Sequence, residues 1–382
     1  MGIGLCVVVF LVISLATGYE YRMTGRGLTS VPGDVPLNAT LVSLSDNAIT
    51  LVDDFPALTD VWKLELNSNS LTTFPNLTSI NESLTDLSLT SNKIGAISPN
   101  LLAVLTKLTR LLLNDNLLSE FPDVCGPCSS LSTLRLSQNQ FTSMPILSNV
   151  GRALRLLVFD QSFVSEHDMT SEISSDKFEE FSLSFTKITR VPILKSEVKA
   201  GITILNLANC KIRVIEKGNL AGFCSLIKLR INSNSLSVFP DLTNAADSLM
   251  TLEFGKNKVP LQAHAWSFRQ LSKLTSVDLS HTTWVQAPNF CHVDFQSAPT
   301  ISMDSSDWNC DCHAKWLKML EASGATIETG DFVCSRPESI AGTPWTNISL
   351  SKLTCEGNVV LLFQLKYISP VDFPLYITLK QS

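Results

Sequence analysis

Apolar and polar positions recur along this chain in a fixed frame. Asn47, Asn69, Asn92, Asn116 and Asn139 are each preceded by apolar residues three and five positions back and followed by another two positions on. Leu64-Glu-Leu66-Asn-Ser-Asn69-Ser-Leu71 is one example and Leu111-Leu-Leu113-Asn-Asp-Asn116-Leu-Leu118 another. Carried forward, the frame puts Ser162, Thr186, Cys210, Asn234, Asn257, Thr282 and Ser306 at the same place. It therefore recurs twelve times, with a mean period of about 23.5 residues. Each period predicts one short strand whose apolar side chains point into a shared interior. No single unit can bury that face alone, so stacking is obligatory. In the third unit Leu84, Leu87, Leu89, Ile94, Ile97 and Leu101 are expected to point inward, at about 1.5–3 kcal/mol for each side chain fully buried.

The frame resembles the extracellular leucine-rich repeats of animals, from about Leu28 to Cys355. That resemblance implies an α/β solenoid: a leucine-rich-repeat horseshoe with a parallel concave sheet and capped ends. It also implies a task for the recurring asparagine, whose amide in that family bonds the main chain of adjacent turns where backbone groups would otherwise stay unpaired. Ser162, Thr186 and Cys210 break the series in three consecutive repeats. Smaller groups satisfy fewer partners, so the middle of the stack should be less regular. The polar stretch from Ser162 to Lys177 falls in the same region.

An open stack has apolar ends that need covers. Asp307-Trp-Asn-Cys310-Asp-Cys312, Trp316-Leu317, Cys334 and Cys355 resemble the family's cysteine-rich C-terminal cap, which would span 307–355. The resemblance implies disulfides from Cys310 to Cys334 and from Cys312 to Cys355. A zinc site including His313 is the alternative, but one Cys-x-Cys without a second close pair is poor zinc spacing. At the other end, residues 19–40 look like an N-terminal cap without its cysteines, with Met23 where one would be expected. This cap is expected to hold by packing alone and to be the weaker end. Residues 41–306 carry the repeats. The tail, 356–382, contains two short apolar runs broken by Lys366, Pro370, Asp372 and Pro374, well short of the 18 or so apolar residues of a membrane helix. No membrane span is expected.

Residues 1–18 change the picture of where this fold works. An apolar run from Leu5 to Leu15 followed by Ala16-Thr-Gly18 reads as a signal peptide, cleaved after Gly18. Nine cysteines would then meet an oxidising compartment. Four acceptor tripeptides agree with that route and place candidate glycans on Asn38, Asn76, Asn81 and Asn347. The expected location is secreted, in the extracellular space. A net charge of -6, from 29 basic and 35 acidic residues, gives no electrostatic reason to bind nucleic acid.

Constellations for catalysis are missing. Cys125-Gly-Pro-Cys128 has the letters of a redox motif but lies in the variable part of a repeat, not at a helix start in a βαβ unit. The five histidines are scattered, and no cofactor or metal site is expected. Binding remains. The exposed positions of each strand lie six, four and two residues before the frame position, plus the residue just before it. In the middle repeats they include Arg110, Leu112, Arg135, Leu156, Val158, Asp160, Phe185, Ile204, Asn206, Lys228 and Arg230, whereas the outermost repeats contribute Ser43, Ser45, Ser302 and Asp304. Exposed aromatic, aliphatic and Arg side chains are the composition of binding hot spots. Arg110, Leu112, Arg135, Val158, Asp160, Phe185, Asn206, Lys228 and Arg230 are the candidate contacts for a protein or glycan ligand, in adhesion or reception. A structural matrix protein and an innate immune pattern-recognition ectodomain are the other readings.

Overall fold

The computed structural model describes residues 18–124, 130–165, 173, 175–258, 270–282, 293–304, 309–330 and 332–354. Cys125, Cys128 and Cys355 lie outside the described residues.

Among these residues fourteen strands form one open parallel sheet in sequence order. The first is β1 (Tyr19–Arg22), followed by β2 (Ala39–Ser43), β3 (Lys63–Glu65), β4 (Asp86–Ser88) and β5 (Arg110–Leu112). Next come β6 (Thr133–Arg135), β7 (Leu156–Val158), β8 (Glu180–Ser182), β9 (Ile204–Asn206) and β10 (Lys228–Arg230). Last are β11 (Thr251–Glu253), β12 (Ser276–Asp278), β13 (Thr300–Ser302) and β14 (Thr326–Glu328). The strands β2 to β13 are the twelve sequence repeats, each ending four residues before its frame position. One further strand at each end extends the sheet. From β2 to β13 the register is uniform: Leu64 pairs with Leu87, Leu87 with Leu111, Leu111 with Leu134, and so on to Ile301. All of these central residues are buried, so a one-residue slip would expose a whole row of the core.

Each of the first eleven repeats leaves its strand through a left-handed residue. Asp46, Ser68, Ser91, Asp115, Gln138, Gln161, Phe185, Asn209, Ser233, Lys256 and His281 have φ between 51° and 59°, and each immediately precedes a frame position. No other non-glycine residue among those described has positive φ. This conformation costs an L-residue roughly 1–2 kcal/mol. The stack compensates by using the amide of each such residue: Gln138 N–H donates to the Asp160 carbonyl at 2.9 Å and Phe185 N–H to the Ala208 carbonyl at 2.9 Å.

The frame asparagines then lock neighbouring passes together. Asn116 Oδ1 accepts from Ile94 N–H at 3.0 Å, while its Nδ2 donates to the carbonyls of Leu89 at 3.0 Å and Leu113 at 3.1 Å. Asn69, Asn92, Asn139, Asn234 and Asn257 repeat the arrangement. Where the series breaks, the bonding thins. Ser162 reaches only the Asp160 carbonyl at 3.5 Å, and the Cys210 thiol donates to Leu183 at 3.2 Å and Ala208 at 3.4 Å. A second ladder runs along the strand starts, where Thr85, Thr109, Ser132, Thr203 and Thr275 each donate a hydroxyl to the carbonyl one repeat back.

Opposite the sheet the connections are short or irregular. The helices there are α1 (Pro99–Ala103) and α2 (Ser196–Gly201). Large aromatic rings fill the interior between, among them Phe141, Phe159, Phe178 and Phe223. The N-terminal end is not held by packing alone. Besides burying Tyr21, it is tied to the first repeat by Asn47, which accepts from Arg26 and Leu28 N–H and donates to the Met23 carbonyl. At the other end α3 (Lys315–Ala322) buries Trp316 and Leu317. Cys310 and Cys334 are disulfide-bonded with their Cα atoms 5.6 Å apart. Cys312 is disulfide-bonded too. No helix among the described residues is long and apolar enough to cross a membrane.

Candidate binding face

Side chains alternate across a strand, so the middle residue of each three-residue strand enters the core and its two neighbours stand on the outer face. Parallel register then builds rows of side chains, one per repeat. In the row through the ends of β5 to β8, Leu112, Arg135, Val158 and Ser182 are successive neighbours. In the row through the strand starts, the order is Arg110, Thr133, Leu156 and Glu180.

The candidate contacts differ in what they can offer a ligand. Arg110 and Phe185 are exposed, and Leu112, Arg135, Asp160, Asn206, Lys228 and Arg230 are half-buried. Val158 is not exposed as its frame position implied. It retains 8 % of its surface, because its short side chain lies between longer or paired neighbours on β6 and β8. Ser43, expected to be exposed on the flank, is likewise buried at 2 %. Asp160 is committed inward, accepting from Ser182 Oγ at 2.6 Å and Ser184 N–H at 2.7 Å. Asn206 shares that network by donating to Ser182 Oγ at 2.9 Å.

Charge pairing sorts the cations. Lys228 and Arg230 both hold Glu253, at 2.9 and 3.0 Å. Lys63 holds Glu65 at 2.8 Å, with Arg22 at 3.8 Å from the same carboxylate. Burial raises the Glu253 carboxyl's pKa, but hydrogen bonds and charge from Lys228 and Arg230 outweigh it, and the pKa falls below the usual value. Glu65 behaves in the same way toward Lys63, Ser43 and Arg22. Arg110 and Arg135 have no ion pair among the described residues, and Arg135 Nε is shut from solvent without a hydrogen-bond partner. A depression of about 180 Å³ opens beside Arg110 across β3–β5, between Lys63 and Glu65 on one side and Arg110 and Leu112 on the other.

Glu253 and Glu65 are the residues that sequence reasoning missed. The signal was present, since Glu253 occupies the same frame position as Arg230 one repeat on. Among the described residues no group of three or more His, Cys, Asp and Glu is placed to hold a metal. None of the four candidate glycan acceptors is buried or lies within a strand of the repeats.

A family model described as leucine rich repeat matches residues 82–141, within a sheet whose twelve repeats each carry the same strand and whose first eleven share the left-handed exit. The chain is a leucine-rich-repeat solenoid. Solved structures share that fold. A leucine-rich-repeat protein of Leptospira interrogans superposes with a TM-score of 0.59 at 19 % identity, covering 82 % of this chain and 84 % of that one. An internalin of Listeria monocytogenes gives 0.53 at 18 %, covering 75 % and 86 %. A plant peptide hormone receptor, in complex with RGF2, gives 0.53 at 17 %, covering 78 % of this solenoid and 48 % of the receptor. No curated protein matches the solenoid's sequence.

Proposed function

We propose that this solenoid is an extracellular recognition module that binds a protein ligand on the outer face of its sheet, in adhesion or reception, without catalysing a reaction. The carrying observation is the contrast in charge pairing along that face. Cations of the second repeat and of the ninth are neutralised in place by Glu65 and Glu253, whereas Arg110 and Arg135 are left unpaired beside Leu112. Rigid strands present these groups, so little ordering entropy would oppose binding. The apolar start of the sequence, the unburied glycan acceptors and the Cys310–Cys334 pair support export. The solved plant peptide hormone receptor in complex with RGF2 is a precedent for a peptide ligand on such a fold.

The test is to express the full chain in animal cells and titrate the secreted protein against a panel of secreted and cell-surface ectodomains. Saturable binding to an ectodomain, by protein that starts at Tyr19 and loses mass on deglycosylation, is the expected result. Self-association or collagen binding alone would favour the matrix reading, binding only to microbial glycans the pattern-recognition reading, and retention inside the cell would overturn export.

A further inference from the structure

We propose that Arg110 and Arg135 form a carboxylate-binding site for an acidic side chain on an extended segment of a protein partner. The proposal rests on the strand-face reading above and names the chemistry of the partner. Strand geometry separates the two Cα atoms by about 8 Å, one strand across and two residues along, close enough for both guanidinium groups to meet one carboxylate. Arg110 is exposed, and Arg135 is half-buried between Leu112 and Val158 in its row. Packing against aliphatic neighbours limits the rotamers of Arg135, so its guanidinium is pre-organised for a planar acceptor. Its Nε–H is closed off from solvent and unbonded, so only the rest of the fork can be satisfied, and it must be satisfied from outside.

Three observations fix the occupant as a single acid in a mostly neutral segment rather than a polyanion. Asp86 is the register partner of Arg110 on the preceding strand, Glu180 stands in the same row three strands on, and Glu65 borders the adjoining depression. These carboxylates would repel a sulfated glycan with closely spaced charges, whereas one acid between two guanidiniums escapes that penalty. Leu112 and Leu156, both half-buried, offer apolar contact to residues flanking the acid. The sheet face continues on either side of the pair, so a chain can pass over it and supply a side chain rather than a terminus.

The probe is a pair of nine-residue peptide pools, acetylated and amidated, with Glu or Gln at the centre and Leu, Ile, Phe, Ser or Thr elsewhere. Titrated against the full secreted chain, the Glu pool is expected to bind on the order of tenfold more tightly than the Gln pool. Arg110→Gln, at an exposed position where folding is not at risk, should remove most of that preference, and Arg110→Gln with Arg135→Gln all of it. Lys211→Gln, at an exposed position outside the strand rows, should leave the preference intact. Equal binding of the two pools, or a preference unchanged in the double variant, would overturn the proposal, as would heparin binding that the double variant loses. If the pools show no preference but a bulky group at position 135 still blocks an ectodomain ligand, the carboxylate site fails and the strand-face reading stands.

Discussion

At the residue scale one position in each repeat sets the connection between passes. Asn116 satisfies one buried N–H and two buried carbonyls of two different repeats, whereas Ser162 makes a single long contact. Asn116→Ala should therefore lower the urea midpoint by the equivalent of at least about 2 kcal/mol, and Ser162→Ala by less than about 1 kcal/mol, from the cost of stranding buried polar groups. Similar losses at the two sites would show that the side-chain ladder is not what joins the repeats. Phe185 poses the opposite case. It sits in the left-handed conformation with 54 % of its surface exposed, so its ring gains little from the core while its backbone is strained. Phe185→Asn, a residue that tolerates this conformation, is expected to raise thermal stability by up to about 1 kcal/mol while weakening ligand binding. A fall in stability would mean that the ring is held for packing. Asn and Leu positions were legible in the sequence because their types recur. The left-handed exit was not, since Asp, Ser, Gln, Phe, Lys and His all occupy it and the frame rather than the residue dictates the conformation.

At the element scale, adjacent strands communicate through their outward rows. Lys228, Arg230 and Glu253 join β10 to β11, and Lys63 with Glu65 reinforces β3. Glu253 has a lowered pKa in the folded chain, so as pH falls the unfolded chain takes up its proton first. The contribution of this cluster is complete above the ordinary glutamate value of about 4.3 and is lost as pH falls through the lowered one. Glu65 and Asp123 act in the same direction, Asp123 through hydrogen bonds from Ser148, Asn149 and Val150 that outweigh its desolvation. Glu253→Gln should destabilise the protein at pH 7 and flatten the further loss between pH 7 and pH 3, measured as urea midpoints at the two values. An unchanged pH dependence would separate Glu253 from the acid response. The order of the twelve repeat strands and the inward rows followed directly from the spacing, whereas the added strands β1 and β14 at the two ends did not. Which outward residues are available did not, because Val158 and Arg135 share a row and side-chain length decides which of them is covered.

At the scale of the whole molecule, the stack is one sheet whose outward lysine and arginine side chains in the second and ninth repeats are paired to Glu65 and Glu253, whereas Arg110 and Arg135 in the fourth and fifth have no ion pair among the described residues. The ends are closed differently, by hydrogen bonds from Asn47 at the first repeat and by Cys310–Cys334 with the buried ring of Trp345 at the last. The proposed binding surface on the central face rests on Arg110 and Arg135, which have no ion pair among the described residues. Arg135→Asn, followed by Leu136 and Ser137, creates a glycan acceptor on that face, and Lys107→Asn, followed by Leu108 and Thr109, creates one at an exposed turn before β5. The decisive measurement is the affinity of both secreted, glycosylated variants for the ectodomain ligand bound by the parent chain. Loss of binding with the glycan at 135 and retention with the glycan at 107 is the predicted result; undiminished binding with the glycan at 135 would contradict a ligand site on the central strand face.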